Sequence, residues 1–368
     1  MAERRYREEQ TKPKATKRRR RKRRKKHGSL LGTVLLVFLV CVLLVGGTLF
    51  YLSNHMLNRI ERVDKREEVW IAPEEAAHEL VVLEEMEEPA EEGTTDERVD
   101  TITPESVQWT APVKAAPKPK VKNILLIGQD ARPGETRARS DSMILCSLNE
   151  DTREISLISF MRDMYVPFPG DYAASRMNHA FAWGGMSMLD QLIEEDFGIT
   201  IDGNVVVNFE SFVQVMNLIA PLEIELKDYE VGYMNRGTGW GLHQGVNALS
   251  GEQLLTYARM RHVGHADWER TERQRTVLQA AFNKVKNFSL KEMTDLANTA
   301  LPCISTDLSN TDIMNMIYTV VTNRMSVGST NRLPVEGTYS AEIVYGMDVL
   351  VPDLEANSAY LHRCIYGS

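Results

Sequence analysis

Hydrophobic and polar positions divide the chain into three parts. Residues 30–52 form a largely apolar run without a charged side chain, whereas residues 61–120 are rich in Glu, Pro, Thr and Ala and show little periodicity. From about Lys122 onward, short apolar runs alternate with segments of helical period. This alternation is typical of an α/β domain.

The third part contains clear signals for individual helices and strands. Ser250 and Gln253 form a capping box, and Leu249 and Leu254 form a hydrophobic staple, so one helix begins after Ser250. Further helices are predicted over residues 185–196, 210–219, 269–286 and 311–322. Strands are predicted over residues 123–128, 142–148, 155–160, 204–207 and 222–227. Residues 303–368 are predicted to form a helix, a strand and a helix that finish the domain.

The apolar run over residues 30–52 predicts a membrane anchor. Its 23 residues reach about 35 Å as a helix, which is enough to cross the hydrocarbon core of a bilayer. Residues 1–27 hold 15 Lys and Arg against three Glu, and this excess places the N-terminus in the cytoplasm. A cleaved signal peptide is the alternative, although the run is long for one and has no small-x-small site at its end.

Four regions follow from these features, and the domain is expected on the outer side of a cell membrane that the chain crosses once. They are a basic cytoplasmic tail over residues 1–29, a transmembrane helix over 30–52, an acidic and largely disordered extracellular stalk over 53–121, and a catalytic domain over 122–368. The apolar run follows the basic tail at once, so we expect the tail to contact anionic lipid head groups and not nucleic acid. Whether the chain dimerises stays open.

The cysteines indicate neither a disulfide scaffold nor a zinc site. Four cysteines are scattered through 368 residues, and none of them forms a Cys-x-x-Cys pair. Cys303 and Cys364 are the only plausible pair in an oxidising compartment. Their bridge stays open, because its geometry cannot be derived from the sequence.

The predicted helix over residues 269–286 places polar residues on its apolar face. Its apolar stripe includes Val277 and Leu278. Gln274 falls on the same face one turn earlier, and Arg270 two turns earlier. A core-facing guanidinium requires an internal carboxylate or an anionic ligand. Because both residues lie in the first turns of a helix, where N–H groups and the dipole favour an anion, a ligand is a second candidate beside a structural ion pair.

Acidic and basic residues also gather at the ends of the predicted strands. Asp130 and Arg132 follow the first strand, Arg139 and Asp141 precede the second, and Arg162 with Asp163 follows the third. Each pair alone would be an ordinary surface ion pair, but open α/β sheets place their sites at this edge. Two carboxylates suit Mg²⁺, and several guanidiniums suit a diphosphate, so the pattern indicates phosphoryl transfer.

In order along the chain, these motifs resemble the LytR-CpsA-Psr family. The resemblance covers residues 122–287, and Gln129 and Met161 stand where the family commonly has Val and Pro. The runs that carry it are Asn123-Ile-Leu-Leu-Ile-Gly-Gln-Asp-Ala-Arg132, Arg139-Ser-Asp141, Ser159-Phe-Met-Arg-Asp163, Arg176-Met-Asn-His-Ala180 with Gly184-Gly185, Tyr257-Ala-Arg-Met-Arg261 and Asp267-Trp-Glu-Arg-Thr-Glu-Arg-Gln274.

The resemblance implies a three-layer α/β/α sandwich with a central mixed sheet and a polyprenyl-lipid tunnel. It implies a Mg²⁺-dependent phosphotransferase that moves a glycopolymer from undecaprenyl pyrophosphate to the 6-hydroxyl of muramic acid in peptidoglycan. Asp130 and Asp141 would hold Mg²⁺, and Asp163 or Asp267 would orient the muramyl hydroxyl or take its proton. The diphosphate would be held by Arg139, Arg162, Arg259, Arg261, Arg270 and Gln274.

Three alternatives remain beside the transferase. The domain could be a non-catalytic binder of polyprenyl pyrophosphate or cell wall, or a membrane-bound regulator. A regulator would need a folded cytoplasmic module, which 27 mostly charged residues cannot provide. The same site could also use water as the acceptor and act as a lipid-pyrophosphate hydrolase. The polymer that is transferred, whether teichoic acid, capsule or another wall glycan, stays open.

Overall fold

A computed structural model describes residues 54–86, 100–114, 118, 120–129, 137–260 and 267–367. The predicted cytoplasmic tail and membrane span lie outside these residues and stay predictions. Within the described part, no helix combines the length and the apolar content that a bilayer crossing requires.

The described residues form thirteen strands and nine α-helices. The strands are β1 (Glu61–Arg62), β2 (Val121–Gln129), β3 (Ser140–Asn149), β4 (Glu154–Phe160), β5 (Tyr165–Val166), β6 (Ser175–Arg176), β7 (Gly203–Asn208), β8 (Leu222–Leu226), β9 (Gly245–Leu249), β10 (Ser305–Thr306), β11 (Ser326–Leu333), β12 (Tyr339–Val344) and β13 (Met347–Pro352). The helices are α1 (Pro73–Met86), α2 (His179–Phe197), α3 (Phe209–Ile219), α4 (Asp228–Asn235), α5 (Gly251–Arg259), α6 (Asp267–Val285), α7 (Leu290–Ala300), α8 (Asn310–Thr322) and α9 (Leu354–Tyr366).

The fold is centred on a seven-stranded sheet in the order β1-β10-β7-β2-β3-β4-β11. Strand β2 pairs parallel with β7 and antiparallel with β3, and β4 pairs antiparallel with β3 and parallel with β11. The sheet is therefore mixed, which confirms the predicted α/β fold with a central mixed sheet. All the predicted strands are present, but β8 pairs with β9 in a separate hairpin.

Helices cover both faces of this sheet because alternate strand residues point to opposite sides. On one face, Leu125 and Leu145 pack in a core with residues of α2 and α9. On the other face, Ile124 and Ile144 pack in a core with Leu278 of α6 and with residues of α8. With both faces buried, the strands read as nearly continuous apolar runs, which explains why the sequence revealed them.

A third apolar core lies beside the sheet. The face of α3 that the sequence shows as apolar, including Met216 and Ile219, packs against the β8–β9 hairpin and against Leu254 of α5. Helix α5 has the predicted start, since Ser250 accepts a hydrogen bond from the Gln253 N–H at 3.4 Å and the Gln253 side chain accepts one from the Ser250 N–H. The predicted capping box is therefore confirmed.

The C-terminal region is richer in strands than predicted. Helix α8, strand β11 and helix α9 match the predicted helix, strand and helix over residues 303–368. The prediction omits β10 and the antiparallel hairpin of β12 and β13. That hairpin is only half-buried along much of its length, so its residues lack the continuous apolar run that marks the central strands.

The prediction of an extended, largely disordered stalk over residues 53–121 is wrong for residues 54–86 and 100–114. Strand β1 pairs with β10 and extends the sheet, and Leu80 of α1 is buried in the core under α2. The Trp70 indole donates to Ser187 Oγ at 2.8 Å, and the Val113 N–H donates to Ser358 Oγ at 2.8 Å. Isolated apolar residues in an acidic segment make these contacts, and they show no periodicity that would predict them.

Glu68 ties this N-terminal segment to α2. Gly185 interrupts the helix with a φ of 70°, and the Glu68 carboxylate accepts hydrogen bonds from the N–H groups of Met186 at 3.0 Å and Ser187 at 2.7 Å. The carboxylate thus acts as an N-cap for the second half of α2.

We predict that Glu68→Ala lowers the free energy of unfolding by about 1–2 kcal/mol, because two N–H groups at a helix start lose their acceptor. Denaturant unfolding of the full-length protein in detergent measures the loss. The matched control is Glu67→Ala, since Glu67 is exposed. Equal stability of the two variants would contradict this role.

The buried carboxyl group of Asp196 in α2 should make the stability of the fold depend on pH. It is 5% exposed, and its Oδ2 has no hydrogen-bond partner among the described residues. Burial, followed by the charge of Glu195, raises the pKa of Asp196 to about 8. Because an unfolded Asp has a pKa of about 3.9, the folded state binds the proton more tightly, and stability falls as pH rises from about 4 to about 8.

We therefore expect Asp196→Asn to abolish this part of the pH dependence. The melting temperature of the wild type should drop more between pH 5 and pH 8 than that of the variant. The exposed Asp171→Asn variant serves as the control and should follow the wild type. A variant with the same pH profile as the wild type would refute the assignment.

Candidate functional site

The candidate site lies at one edge of the central sheet. Strands β2, β4, β7 and β11 end at this edge, and β3 begins there. The Ser140 N–H donates to the Asn178 carbonyl at 3.3 Å, and the Asn178 N–H donates to the Arg162 carbonyl at 3.3 Å. These bonds bring the start of β3, the end of β4 and the segment before α2 together.

Arg162 links the acidic residues of this edge. Its Nη1 donates to Asp141 Oδ1 at 3.1 Å, and its Nε donates to Asp163 Oδ2 at 3.3 Å. The three side chains are between 14% and 20% exposed, so the group is accessible to a ligand. The planar guanidinium has five donors in a fixed fork, so it can hold carboxylates and phosphate oxygens together.

Arg176 adds a second guanidinium behind Asp163. Its Nε lies 3.7 Å from Asp163 Oδ1. Its Nε and Nη2 also donate to the Asp348 carbonyl at 3.1 and 2.8 Å, which fixes the plane of the group. Asp163 therefore lies between two guanidiniums, and its negative charge is compensated.

The pKa of His179 is affected by the positive charges of the site. Its imidazole is fully buried, and Nδ1 lies 2.8 Å from Ser175 Oγ. Burial, followed by the charges of Arg139, Arg176 and Arg162, lowers the pKa of His179 to about 3. The imidazole is thus neutral at physiological pH, and three guanidiniums lie close enough to repel a proton from it.

Helix α6 closes the site from the other side of the strand edge. Gln274 Oε1 accepts a hydrogen bond from Ser142 Oγ at 3.0 Å, which places the Gln274 side chain next to the start of β3. Arg270 is one turn earlier on α6 and only 2% exposed. Both residues lie on the sheet-facing side of the helix, as the periodicity predicts.

The structure brings together part of the predicted site. Arg139, Asp141, Arg162 and Asp163 lie around the strand edge, and Gln274 contacts β3. Arg259 is the last residue of α5, and its side chain is exposed. Asp130 and Arg261 lie outside the described residues, and so does the side chain of Asp267, the first residue of α6. The roles assigned to all of these residues stay predictions.

Two residues of the site received no role in the sequence analysis. Arg176 and His179 belong to a run that carries the family resemblance, but nothing in their spacing indicates a position beside Arg162 and Asp163. They lie there because the short strand β6 pairs with β5, which begins two residues after Asp163. The signal that could have revealed them is the polar content of a segment between two well-buried elements.

One described carboxylate at this edge could hold a divalent cation. Asp141 is half-buried there, whereas Asp130, the next residue after Gln129 in the sequence, lies outside the described residues. Mg²⁺ commonly takes one or two carboxylates and completes its shell with water and phosphate oxygens. The described residues hold no group of three or more His, Cys, Asp or Glu side chains that could bind a metal ion.

The remaining candidate groups have simple structural roles. Cys303 and Cys364 are free thiols, so the bridge left open by the sequence is not formed. Ser159 Oγ accepts a hydrogen bond from Arg275 Nη1 at 2.7 Å.

The amino-acid sequence is similar to a known protein family and to individual proteins. The model of the LytR_cpsA_psr family matches residues 84–359, which is more than half of the chain. Polyisoprenyl-teichoic acid–peptidoglycan teichoic acid transferase TagU of Oceanobacillus iheyensis is 33% identical over 210 residues, or 55% of this chain and 62% of that protein. Regulatory protein MsrR of Staphylococcus aureus is 31% identical over 184 residues, or 49% of this chain and 53% of that protein. The match thus spans less than two thirds of each relative.

The fold is also similar to a solved structure described as TagT bound to LI-WTA. The two share a TM-score of 0.55 at 26% identity, and the similarity covers 69% of this chain and 96% of that one. The match supports the mixed α/β fold around the central sheet.

We predict that His179 stays neutral from pH 5 to pH 8 and that Arg139→Gln raises its pKa, because one repelling charge is removed. The pKa should remain below its ordinary value of about 6.5, since burial is the larger cause. Imidazole ¹⁵N shifts of the histidine-labelled protein measure it. The distant, exposed Arg324→Gln variant should leave the shifts unchanged, and a wild-type His179 that titrates near pH 6.5 would contradict the geometry.

Proposed function

The chain belongs to the LytR-CpsA-Psr family, and we propose that it is an enzyme that attaches a glycopolymer to peptidoglycan. The donor would be the glycopolymer on undecaprenyl pyrophosphate, and the acceptor would be the 6-hydroxyl of muramic acid. The acceptor oxygen would bond to the phosphorus that carries the glycan, and the bond from this phosphorus to the bridging oxygen would break. Undecaprenyl phosphate would leave, and the glycan would be joined through a phosphodiester.

One observation carries this proposal. Arg162 lies between two carboxylates at the open edge of the sheet, with Arg139 and Arg176 close enough to lower the pKa of the same buried histidine. A diphosphate needs concentrated positive charge in a fixed geometry, and phosphoryl transfer needs little more than positioning and charge neutralisation. The transferase name of the Oceanobacillus relative supports the same reaction class.

The side chains of the site have separate tasks in this proposal. Arg139, Arg162 and Arg176 would bind the diphosphate oxygens and stabilise the charge that moves to the leaving phosphate. Asp163 or Asp267 would orient the acceptor hydroxyl and take its proton. Asp163 lies next to two guanidiniums, which hold its carboxylate in place beside the diphosphate site.

Magnesium fits the proposal as a bound cation. Asp141 and Asp130 would hold Mg²⁺, which would neutralise charge on the phosphate oxygens. Because Asp141 already accepts a hydrogen bond from Arg162, the ion and the guanidinium would share this carboxylate.

The predicted location suits this chemistry. The predicted span over residues 30–52 would anchor the chain in the membrane that holds the lipid donor, with residues 1–29 in the cytoplasm. The domain would then lie on the outer side, in contact with both the bilayer and peptidoglycan. ATP is absent there, so the phosphoryl group would come from the lipid-linked donor.

The name of one relative indicates regulation as a second candidate function. Regulatory protein MsrR is similar to about half of the chain, so a binder or regulator is the alternative candidate. Such a protein would bind the lipid pyrophosphate without forming the phosphodiester. Product analysis therefore separates it from an enzyme, and it separates transfer from hydrolysis by water.

We expect the full-length protein in detergent to form the phosphodiester when it is given a lipid-pyrophosphate glycan, muropeptide and Mg²⁺. Arg162→Gln should lower the rate about a hundredfold or more, because a positioned charge donor is lost. Chelation with EDTA should stop the reaction, and added Mg²⁺ should restore it. Mass spectrometry of the products measures each effect.

The Arg324→Gln variant is the matched control, since it removes an exposed guanidinium far from the strand edge. Glycan that is released only to water would favour a hydrolase. Donor binding without any product would favour the binder or regulator, and full transfer by Arg162→Gln would disprove the site.

A further inference from the structure

A pocket adjoins the candidate site at the strand edge. It lies between α6 and β11 and has a volume of about 710 Å³. We call it the α6–β11 pocket. Its walls include Trp268, Glu272, Arg275, Arg332, Tyr339 and Tyr360. A pocket of this size can hold a ligand as large as a disaccharide.

The α6–β11 pocket lies next to the strand edge at which Arg162 is found. Arg332 of β11 stands opposite Ser159 of β4, and the Met161 N–H donates to the Leu333 carbonyl at 2.9 Å. On α6, Gln274 contacts the strand edge, and the next residue, Arg275, lines the pocket. A ligand in the pocket would therefore approach the strand edge where Arg162 lies.

Arg275 is a buried cation that forms no ion pair with the described residues. It is 6% exposed, and its Nη1 donates to Ser159 Oγ at 2.7 Å. Among the described residues, its Nε has no hydrogen-bond partner. Burial lowers the pKa of Arg275 to about 10, so the group is still charged at neutral pH.

Three carboxylates of the described residues line the pocket, and none of them forms an ion pair with Arg275. Glu272 is exposed, and its charge favours the charged form of Arg275. Glu269 is paired with Arg273 at 2.8 Å, and Glu336, which is 77% exposed, is paired with Arg332 at 3.4 Å. A buried unpaired guanidinium is costly, so an anionic group from outside would stabilise Arg275. The planar fork of Arg275 suits a carboxylate or a phosphate.

Aromatic rings form the other wall. Trp268 and Tyr339 have ring centroids 5.1 Å apart, and the Arg332 guanidinium lies 3.8 Å from the Trp268 ring centroid. The Tyr360 hydroxyl donates to Asn331 Oδ1 at 2.8 Å. Rings combined with amide and charged groups suit a saccharide, whose apolar face packs on a ring while its hydroxyls form hydrogen bonds.

We propose that the α6–β11 pocket binds an acidic saccharide of the acceptor strand, with its carboxylate at Arg275 and a sugar ring against Trp268 and Tyr339. The identity of the occupant as the acceptor rests on the proposed function. The chemistry of the pocket does not, because Arg275 and the aromatic wall would bind an acidic saccharide in the absence of any reaction.

The test measures binding to the full-length protein in detergent without a donor. The probes are the N-acetylglucosamine–N-acetylmuramic acid disaccharide, which carries a carboxylate, neutral chitobiose of the same size, and a glycerol phosphate oligomer. We expect the acidic disaccharide to bind most tightly. Arg275→Gln should weaken it about ten- to a hundredfold, because a charge-assisted hydrogen bond is lost, and should leave chitobiose unchanged.

A second variant and a control complete the binding test. Trp268→Leu should weaken the disaccharide and chitobiose alike, since both pack a ring against the indole, and Arg324→Gln should weaken neither. Melting temperatures show whether each variant is folded. If Arg275→Gln is not folded, Arg275→Lys replaces it, and it should also weaken the acidic probe because the ammonium group lacks the planar fork.

Several results would overturn the proposal. Equal binding of the acidic disaccharide and chitobiose would exclude an anion site, and unchanged binding by Arg275→Gln would exclude Arg275. Tightest binding of the glycerol phosphate oligomer would assign the pocket to a phosphate-bearing donor polymer instead. In the transfer assay with the peptide-free disaccharide as the acceptor, Arg275→Gln should raise the acceptor concentration for half-maximal rate without changing that for the donor. Binding as expected with no transfer by the wild type would reject the proposed function while the pocket assignment stands.

Discussion

The arrangement of the site depends on the ion pairs of Arg162 with Asp141 and Asp163. Asp141 is at the start of β3 and Arg162 directly follows β4, so the antiparallel register of these two strands sets their distance. A shift by one residue would turn every side chain to the opposite face and separate the pair. The register is fixed in turn by the two apolar cores, which bury alternate residues on opposite faces of the sheet. The chemistry of the edge is therefore set by packing in the interior.

Helix α6 connects that edge with its surroundings through three consecutive residues. Arg273 points toward the core beside the sheet, which α3, α5 and the β8–β9 hairpin form, and it pairs there with Glu230 at 2.7 Å. Gln274 contacts β3 at the strand edge, and Arg275 reaches β4 and the α6–β11 pocket. At about 100° per residue, a helix turns successive side chains in different directions, so one short run serves three environments. A change in the tilt of α6 would affect all three together.

The sequence predicted the central strands and the strand-end clusters because both depend on local patterns. Apolar runs buried on two faces are easily recognised, and polar residues that follow them lie at an edge. His179 and Arg176 could not be predicted as neighbours of Arg162 and Asp163, since the pairing of β5 with β6 brings them there. Arg275 shares this difficulty, because its lack of an ion pair among the described residues is visible only in three dimensions. The contact of Trp70 with α2 could not be predicted either, because an isolated apolar residue in an acidic segment shows no periodicity.

The docking of residues 54–80 onto α2 changes where the folded domain begins. A boundary at residue 122, which the change in composition indicates, would remove β1, Glu68, Trp70 and α1 from the protein. Trp183, whose indole donates to Glu79 at 2.9 Å, and the apolar residues beneath Ala76 and Leu80 would then face water. An uncovered patch of this kind promotes self-association. Truncated chains that start after the acidic segment are thus prone to aggregate, even though every residue of the strand edge is retained.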